Sequence, residues 1–222
     1  MKYLWYANQG ARRRNMPTQN RREESAAATR QLLLDAAARM FSQQGFAKTS
    51  LSDIAARAGA TKGALYHHFS GKEALYASCY EQQAAKVAAI VRAAGTSGDP
   101  WQDTLEKCRA FLGCARLRHL NAVPIQEAII VLGWQRWREL DSAHTMGELE
   151  LALARLSDAG LLGSFDRRLL ADSLFAVLVS AMMTLSESRD RAATEAELMR
   201  QLSAFLSGVM SASNRPIESE GT

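Results

Sequence analysis

Residues Thr49 to Lys72 read TSLSDIAARAGATKGALYHHFSGK, and this stretch decides the fold because it spells two short helices around a glycine turn. Ser50 and Asp53, three apart, make a capping box in which each side chain can accept from an orphan N–H, so the first helix starts near Ser50. Leu51, Ile54, Ala55 and Ala58 then fall on one face at helical spacing, with Ser52, Asp53, Ala56 and Arg57 elsewhere on the cylinder. Gly59 can take the positive φ that ends a helix and turns the chain sharply. Thr61 is an N-cap for a second helix whose inward positions are Leu65 and Phe69. Its other residues, Lys62, Gly63, Ala64, Tyr66, His67 and His68, make a polar surface suited to phosphates rather than to a core. Gly63 costs roughly 1 kcal/mol relative to Ala inside a helix, which fits a backbone that must approach something closely. A polar second helix after a glycine turn is how a DNA-reading helix-turn-helix is written.

The same residues satisfy T-S-x-x-D-I-A-x-x-A-G-x-[ST]-K-G-x-L-Y-x-H-F-x-x-K-x-x-L from Thr49 to Leu75. On that motif the chain resembles the tetracycline-repressor (TetR) family of bacterial transcription regulators. Upstream, Arg30 to Gln44 followed by Gly45-Phe46 is similar to that family's first helix and its exit. The resemblance implies an all-α fold: an N-terminal three-helix DNA-binding domain and a C-terminal helical bundle for ligand binding and dimerisation. It places the residues matching Thr61, Lys62, Tyr66, His67 and His68 on the recognition helix, and the one matching Lys72 on phosphate at the start of the next helix. Read from their own chemistry, Lys62 is the side chain most able to reach a guanine edge, while Lys48 and Lys72 suit sequence-independent phosphate contact. Ser50 and Gly63 complete the expected DNA-binding set.

Charge supports this placement. The 222 residues carry a net charge of +4, but residues 1–75 hold 12 Lys/Arg against 5 Asp/Glu and residues 76–222 hold 15 against 18. A basic third joined to a slightly acidic remainder is the electrostatic footprint of a nucleic-acid module on a neutral partner domain. A 47% hydrophobic, 23% charged composition with only 4 prolines is that of a globular helical chain and excludes disorder and collagen-like classes. Cys79, Cys108 and Cys114 have no metal-ligand spacing, and an odd count argues against a disulfide framework, so a reducing cytoplasm is expected. Met1 to Gly10 lacks the apolar core of a secretory signal, and Met16 is a second candidate start. Leu169 to Leu185, the most apolar stretch, includes Asp172, Ser173, Ser180 and Thr184 and reads as a buried helix rather than a membrane span.

Along the chain, residues 1–28, with Arg12, Arg13, Arg14, Arg21 and Arg22, read as a flexible basic arm able to lie solvated or to reach a DNA groove. Residues 29–75 form the reader. Its first helix carries Leu32, Leu33, Ala36, Ala37, Met40 and Phe41 inward. Residues 76–211 form the second domain and 212–222 a flexible tail. A long helix from Lys72 to the Gly95–Pro100 breaker links the two domains. Helices are then expected over Trp101–Arg118, Ile125–Glu139, Ala143–Ala159, Arg167–Ser186 and Thr194–Met210. Leu170, Leu174, Phe175, Leu178, Met182 and Leu185 make one apolar band, and Leu198, Leu202, Phe205, Leu206 and Val209 a second. Either serves as ordinary core, and two such adjacent helices also pair with symmetry mates in a four-helix bundle. Leu170, Leu174, Leu178, Met182, Leu198, Leu202, Phe205 and Val209 are therefore the expected homodimer interface.

Trp101, Phe111, Trp134, Trp137, Met146 and Met182, with Gln126 or His144 as polar anchors, can line an apolar effector cavity, and each serves equally as core. His67 and His68 point about 100° apart on a helix and cannot share one metal, so no metal site is expected. No phosphate-cradling loop, nucleophile elbow or convergent carboxylate pair is present, so neither an enzyme nor a cofactor is expected. These readings predict a cytoplasmic homodimeric repressor, released from a palindromic double-stranded DNA operator by a small apolar effector. An activator, or a regulator answering to a protein partner, stays open beside it, as does a helical-bundle enzyme or metal protein.

Overall fold

The structure is a computed structural model that describes residues 18–212 except 118, 119, 121 and 164. The regular elements among the described residues are all helical: α1 (Thr18–Lys48), α2 (Leu51–Arg57), α3 (Lys62–His68), α4 (Lys72–Ala93), α5 (Pro100–Gly113), α6 (Ile125–Leu132), α7 (Trp134–Asp141), α8 (Gly147–Asp158), α9 (Arg167–Glu187) and α10 (Arg191–Ala212). A 3-10 turn at Cys114–Arg116 follows α5, and a π turn at Ser142–Met146 joins α7 to α8 without a break.

The first three helices and the start of α4 share one core. Leu33, Leu34, Ala37 and Phe41 from α1 meet Ile54 from α2, Leu65 from α3, and Leu75 and Tyr76 from α4, all at most 1% exposed. Tyr76 packs edge-on against Phe41 at 4.9 Å and Phe46 at 5.1 Å between ring centres. Such aromatic pairs add about 0.5–1.5 kcal/mol each beyond their buried area. Leu32, expected inward, is 55% exposed. Leu34 takes its place because the buried face of α1 runs one residue further round the helix.

Three expectations about element boundaries are corrected. The basic arm does not extend to residue 28, since α1 is already formed at Thr18. Ala26, Ala27 and Ala28 beside Glu23 and Glu24 give this segment high helix propensity, which outweighs its weak hydrophobic periodicity. Residues 1–17, with the rest of the arm, and residues 213–222 of the expected tail lie outside the described residues. The single helix expected over Ile125–Glu139 is two, because Gly133 adopts φ 75° and turns the chain between α6 and α7. The gap between the helices expected to end at Glu139 and to begin at Ala143 is closed, since α7 runs to Asp141 and continues through the π turn into α8.

Helices α4, α5, α8 and α9 enclose a second core, with α10 against α5 and α9. The α4–α5 loop is fixed by Asp103, whose buried carboxylate accepts from Ser97 N at 2.8 Å, Ser97 Oγ at 2.6 Å and Gly98 N at 3.3 Å. Asp99 then caps α5 by accepting from Trp101 N and Gln102 N. Helix α9 is long and apolar enough to cross a membrane by length and composition, but half of its apolar stretch is buried against the rest of this chain, as in a core helix. The cysteines are buried thiols. Burial pushes Cys79 and Cys108 up to about 12 and Cys114 up to about 11.

Candidate functional site

The reading unit forms as its caps dictate. Ser50 Oγ accepts from Asp53 N at 3.1 Å to start α2, and Gly59 turns the chain with φ 66°. Thr61 Oγ1 accepts from Ala64 N at 3.1 Å to start α3. Leu65 and Phe69 are buried at 0% and 4% exposure, so the opposite side of α3 faces outward. Truncating Leu65 to Ala would cost about 2–5 kcal/mol, which is what holds α3 in place. Lys62, Gly63 and His67 are exposed together with Thr61 and Lys48, and Tyr66 is 51% exposed. Thr61 uses its oxygen as the acceptor for the cap, and its side chain is exposed. His68 is half-buried beside Phe69, and burial, then the neighbouring His67 and Arg30, hold its imidazole below the ordinary range. The Arg30 guanidinium lies 5.1 Å over the Phe69 ring and donates to Ser78 Oγ, tying the end of α3 to α1 and α4.

Two members of the expected DNA-binding set hold other positions. Ser50 donates its hydroxyl proton to Asp53 Oδ2 at 2.6 Å. The capping box is thus closed side chain to side chain, and the Ser50 hydroxyl is committed internally. Lys72 is turned inward: its ammonium donates to Phe46 O at 2.8 Å, Thr49 O at 2.9 Å and Ala47 O at 3.5 Å, and sits 4.2 Å over the Phe46 ring. A Lys has three N–H donors, and these carbonyls take all of them. Lys72 therefore corrects from phosphate anchor to clasp on the segment between α1 and α2.

That segment is gripped from the other side by Glu127 of α6. Gly45, at φ 77°, breaks the end of α1 and frees the Phe46 N–H, which donates to Glu127 Oε1 at 2.8 Å. Glu127 Oε2 accepts from the Tyr76 hydroxyl at 3.0 Å. Burial and this carboxylate raise the Tyr76 hydroxyl well above the ordinary phenol range. One carboxylate of the second domain thus holds the joint from which the reading helices hang. Sequence reasoning missed Glu127, and nothing in its spacing marks it.

The second domain contains two small cavities, each of about 20 Å³, enough for about one water-sized group. The first lies between α4, α6, α7 and α9, with Tyr80, Gln83, Ile125, Asp141, Thr145 and Met182 on its wall. The second lies between α4, α5, α8 and α9, with Cys108, Leu149, Phe175 and Leu178 among its mostly apolar lining. Phe111 and Thr145 line both, so they form the partition. Of the eight expected pocket residues, Phe111 and Met182 line these cavities. Trp137 is fully buried core, stacked 6.1 Å from Phe175, and Met146 is core as well. Trp134 is 53% exposed. Trp101 and Gln126 are half-buried away from both cavities, and His144 Nε2 faces Glu81 Oε1 at 3.9 Å. The polar wall was missed, although Asp141 stands four residues after buried Trp137, an acid at an inward helical spacing that could have flagged it. Burial pushes Asp141 up to about 6 against the opposing effect of the Tyr80 hydrogen bond.

The expected dimer residues Leu170, Leu174, Leu178, Met182 and Leu202 are at most 9% exposed within a single chain and belong to its core. Leu198 and Val209 are half-buried, and Phe205 is 38% exposed. The outward side of the same two helices is a shallow groove of Ala176, Val177, Ser180, Thr184, Leu198, Gln201 and Phe205. Among the described residues no three metal-binding side chains cluster.

A helix-turn-helix with an outward polar reading helix, joined through α4 and α6 to a bundle with internal cavities, defines a one-component transcription regulator. Residues 33–79 match the family described as "Bacterial regulatory proteins, tetR family", and residues 101–209 match "Tetracyclin repressor-like, C-terminal domain". The chain belongs to the TetR family. It is 26% identical to the Transposon Tn10 TetC protein of Escherichia coli over 72% of this chain and 81% of that one. It is 49% identical to the HTH-type transcriptional regulator AcrR of Shigella flexneri over 27% of each chain. Among solved structures, a TetR-family regulator from Pectobacterium atrosepticum aligns with a TM-score of 0.69 at 29% identity, covering 84% of this chain and 96% of that one. FadR from Bacillus subtilis, solved in complex with stearoyl-CoA, shares the fold with a TM-score of 0.64 at 18% identity, over 78% of this chain and 97% of that one.

Proposed function

We propose that this regulator is a cytoplasmic repressor that binds a palindromic operator as a homodimer and leaves it when a small molecule enters the second domain. The observation that carries this reading is the path from cavity to reader. Helix α6 contributes Ile125 to the cavity wall and, two residues on, Glu127 to the Phe46 N–H. Helix α4 contributes Tyr80 and Gln83 to the wall and Lys72 to the same joint. A ligand too large for the resting cavity displaces both helices, and the joint moves with them. Because the effect equals the ligand's differential affinity for two arrangements, operator and effector oppose one another reciprocally. The small molecule held by FadR in the same fold supports the assignment of the bundle to effector binding.

Thr61, Lys62, Gly63, Tyr66 and His67 are assigned to the DNA groove and its phosphates, with Lys48 alongside. The dimer is assigned to the outward groove of α9 and α10, where small residues admit close approach and Val177 and Phe205 supply apolar contact. Two readers related by a two-fold axis then meet half-sites one helical turn of DNA apart, roughly 34–36 Å or a multiple of it. The test is selection of bound sequences from random DNA, followed by titration of the selected site with Lys62→Ala and Tyr66→Phe. Each variant is expected to weaken binding by about 1–3 kcal/mol while keeping wild-type stability. Unchanged affinity in both would overturn the assignment of α3.

A further inference from the structure

Among the described residues of this bundle three carboxylates are almost fully buried, and two are well served. Asp103 accepts three hydrogen bonds from Ser97 and Gly98, and Glu148 pairs with Arg92 at 2.6 Å and Lys107 at 4.0 Å. Asp141, 4% exposed, is not. Its Oδ1 accepts from the Tyr80 hydroxyl at 2.7 Å, and its Oδ2 is buried with no hydrogen bond from the protein. The nearest cation on its own helix, Arg138, is committed to Asp172. Of the groups around it, the Gln83 amide is closed on the Val123 backbone, donating to its O at 2.8 Å and accepting from its N at 3.0 Å, and Arg138 and His144 act on Asp141 through charge without a hydrogen bond to Oδ2. A buried charge in this state costs several kcal/mol unless something supplies a partner.

We propose that the cavity beside Asp141 takes an effector bearing a protonated amine on an apolar body, with the ammonium on Asp141 Oδ2 and the body passing Phe111 into the second cavity. This deepens the effector reading above and rests on it. A protonated amine brings the missing donor and the missing charge in one group, whereas a neutral hydroxyl brings only the donor and a carboxylate brings repulsion. Beyond the partition, the walls of Cys108, Leu149, Phe175 and Leu178 accept an alkyl or aryl body. The backbone supports this placement independently. The π turn begins directly after Asp141 and carries Thr145, which lines both cavities, and π turns inside helices occur frequently at functional sites. Neither cavity alone exceeds the size of one water. Entry therefore requires Phe111 to swing and α4 and α6 to give way, which couples this ligand class to the Glu127 joint.

The test is calorimetric titration of the full chain at pH 7.5 with hexylamine, 1-hexanol and hexanoate, repeated on Asp141→Asn and Tyr80→Phe. Hexylamine is expected to bind wild type roughly 10- to 100-fold more tightly than 1-hexanol, the range of one charge-assisted hydrogen bond, with hexanoate weakest. Asp141→Asn is expected to erase the preference for the amine, and Tyr80→Phe, which leaves the carboxylate in place, to keep it. Equal affinity for amine and alcohol, absence of amine binding, or an amine preference that survives in Asp141→Asn overturns the proposal. Release of the selected operator by a neutral or acidic compound while amines fail would overturn it and leave the repressor reading standing. Failure of every compound to release the operator would count against the repressor reading itself.

Discussion

Replacing Glu127 with Ala tests whether one side chain holds reader and bundle together. The carboxylate accepts from the Phe46 N–H and from the hydroxyl of fully buried Tyr76. Truncation leaves both donors without an acceptor, at about 1–3 kcal/mol each. Because Glu127 is half-buried and water can reach part of the gap, we expect a total of about 2–4 kcal/mol. In a chain of this length about 1 kcal/mol moves Tm by about 2–4 °C, so a fall of roughly 4–16 °C is expected in a thermal melt followed by circular dichroism. Adding Tyr76→Phe removes one orphaned donor, so the double variant should be less destabilised than the sum of the singles, with a coupling of about 1–2 kcal/mol. Operator affinity should fall by about threefold to 30-fold, the equivalent of roughly 0.7–2 kcal/mol of lost pre-organisation. Melts within about 1 °C of wild type, together with unchanged operator binding, would refute the idea that this joint is held from α6.

Three further outcomes follow from the geometry. The folded-state pKa of Asp141 is raised to about 6 from 3.8, so the native state binds the proton more tightly than the unfolded chain. The stabilisation is fully present below about pH 3.8 and is lost as pH rises through about 6, at roughly 3 kcal/mol in total. Asp141→Asn should therefore gain on wild type in urea unfolding between about pH 4 and 6.5, and a gap that stays constant with pH would contradict this. Val177→Glu combined with Phe205→Glu should give folded monomers by sedimentation because both side chains face outward, while an unchanged sedimentation profile would place self-association on another face. Lys72→Met should lower stability by about 1–3 kcal/mol without reducing the salt slope of operator binding, and a slope reduced by about one unit would restore Lys72 as a phosphate contact.

The reader was legible in the sequence because its determinants are local. A cap, a helical repeat of apolar residues, a glycine and a second cap follow one another within the span Ser50 to Phe69, and each acts on neighbours in the chain. Lys72 was misplaced because a side chain's partner is set by three-dimensional approach, here the carbonyls that end α1, whereas the Ser50–Asp53 pair was legible as a capping box and only its closure side chain to side chain was not. The residues expected at a dimer face divide between core and surface for a related reason. The apolar repeat of Leu170, Leu174 and Leu178 is the signature of burial, and it is buried against its own chain. The outward face of Ala176, Val177, Ser180 and Thr184 has no such repeat to mark it. The cavity depended on which faces of α4, α6, α7 and α9 converge, and no spacing within one helix carries that information. Gly133 shows the limit at the level of elements, since apolar residues continue on both sides of it and only its positive φ separates α6 from α7.

The three sulfhydryls lie deep in the protein, and burial holds them protonated at neutral pH. A maleimide needs an accessible thiolate, so the native chain should ignore such a dye without any cysteine being removed. One new cysteine at exposed Ser52 or Ser70 would then be the sole labelled position. In a pair of associated chains, energy transfer between two such dyes would act as a molecular ruler for how far apart the reading helices stand before and after an effector is added.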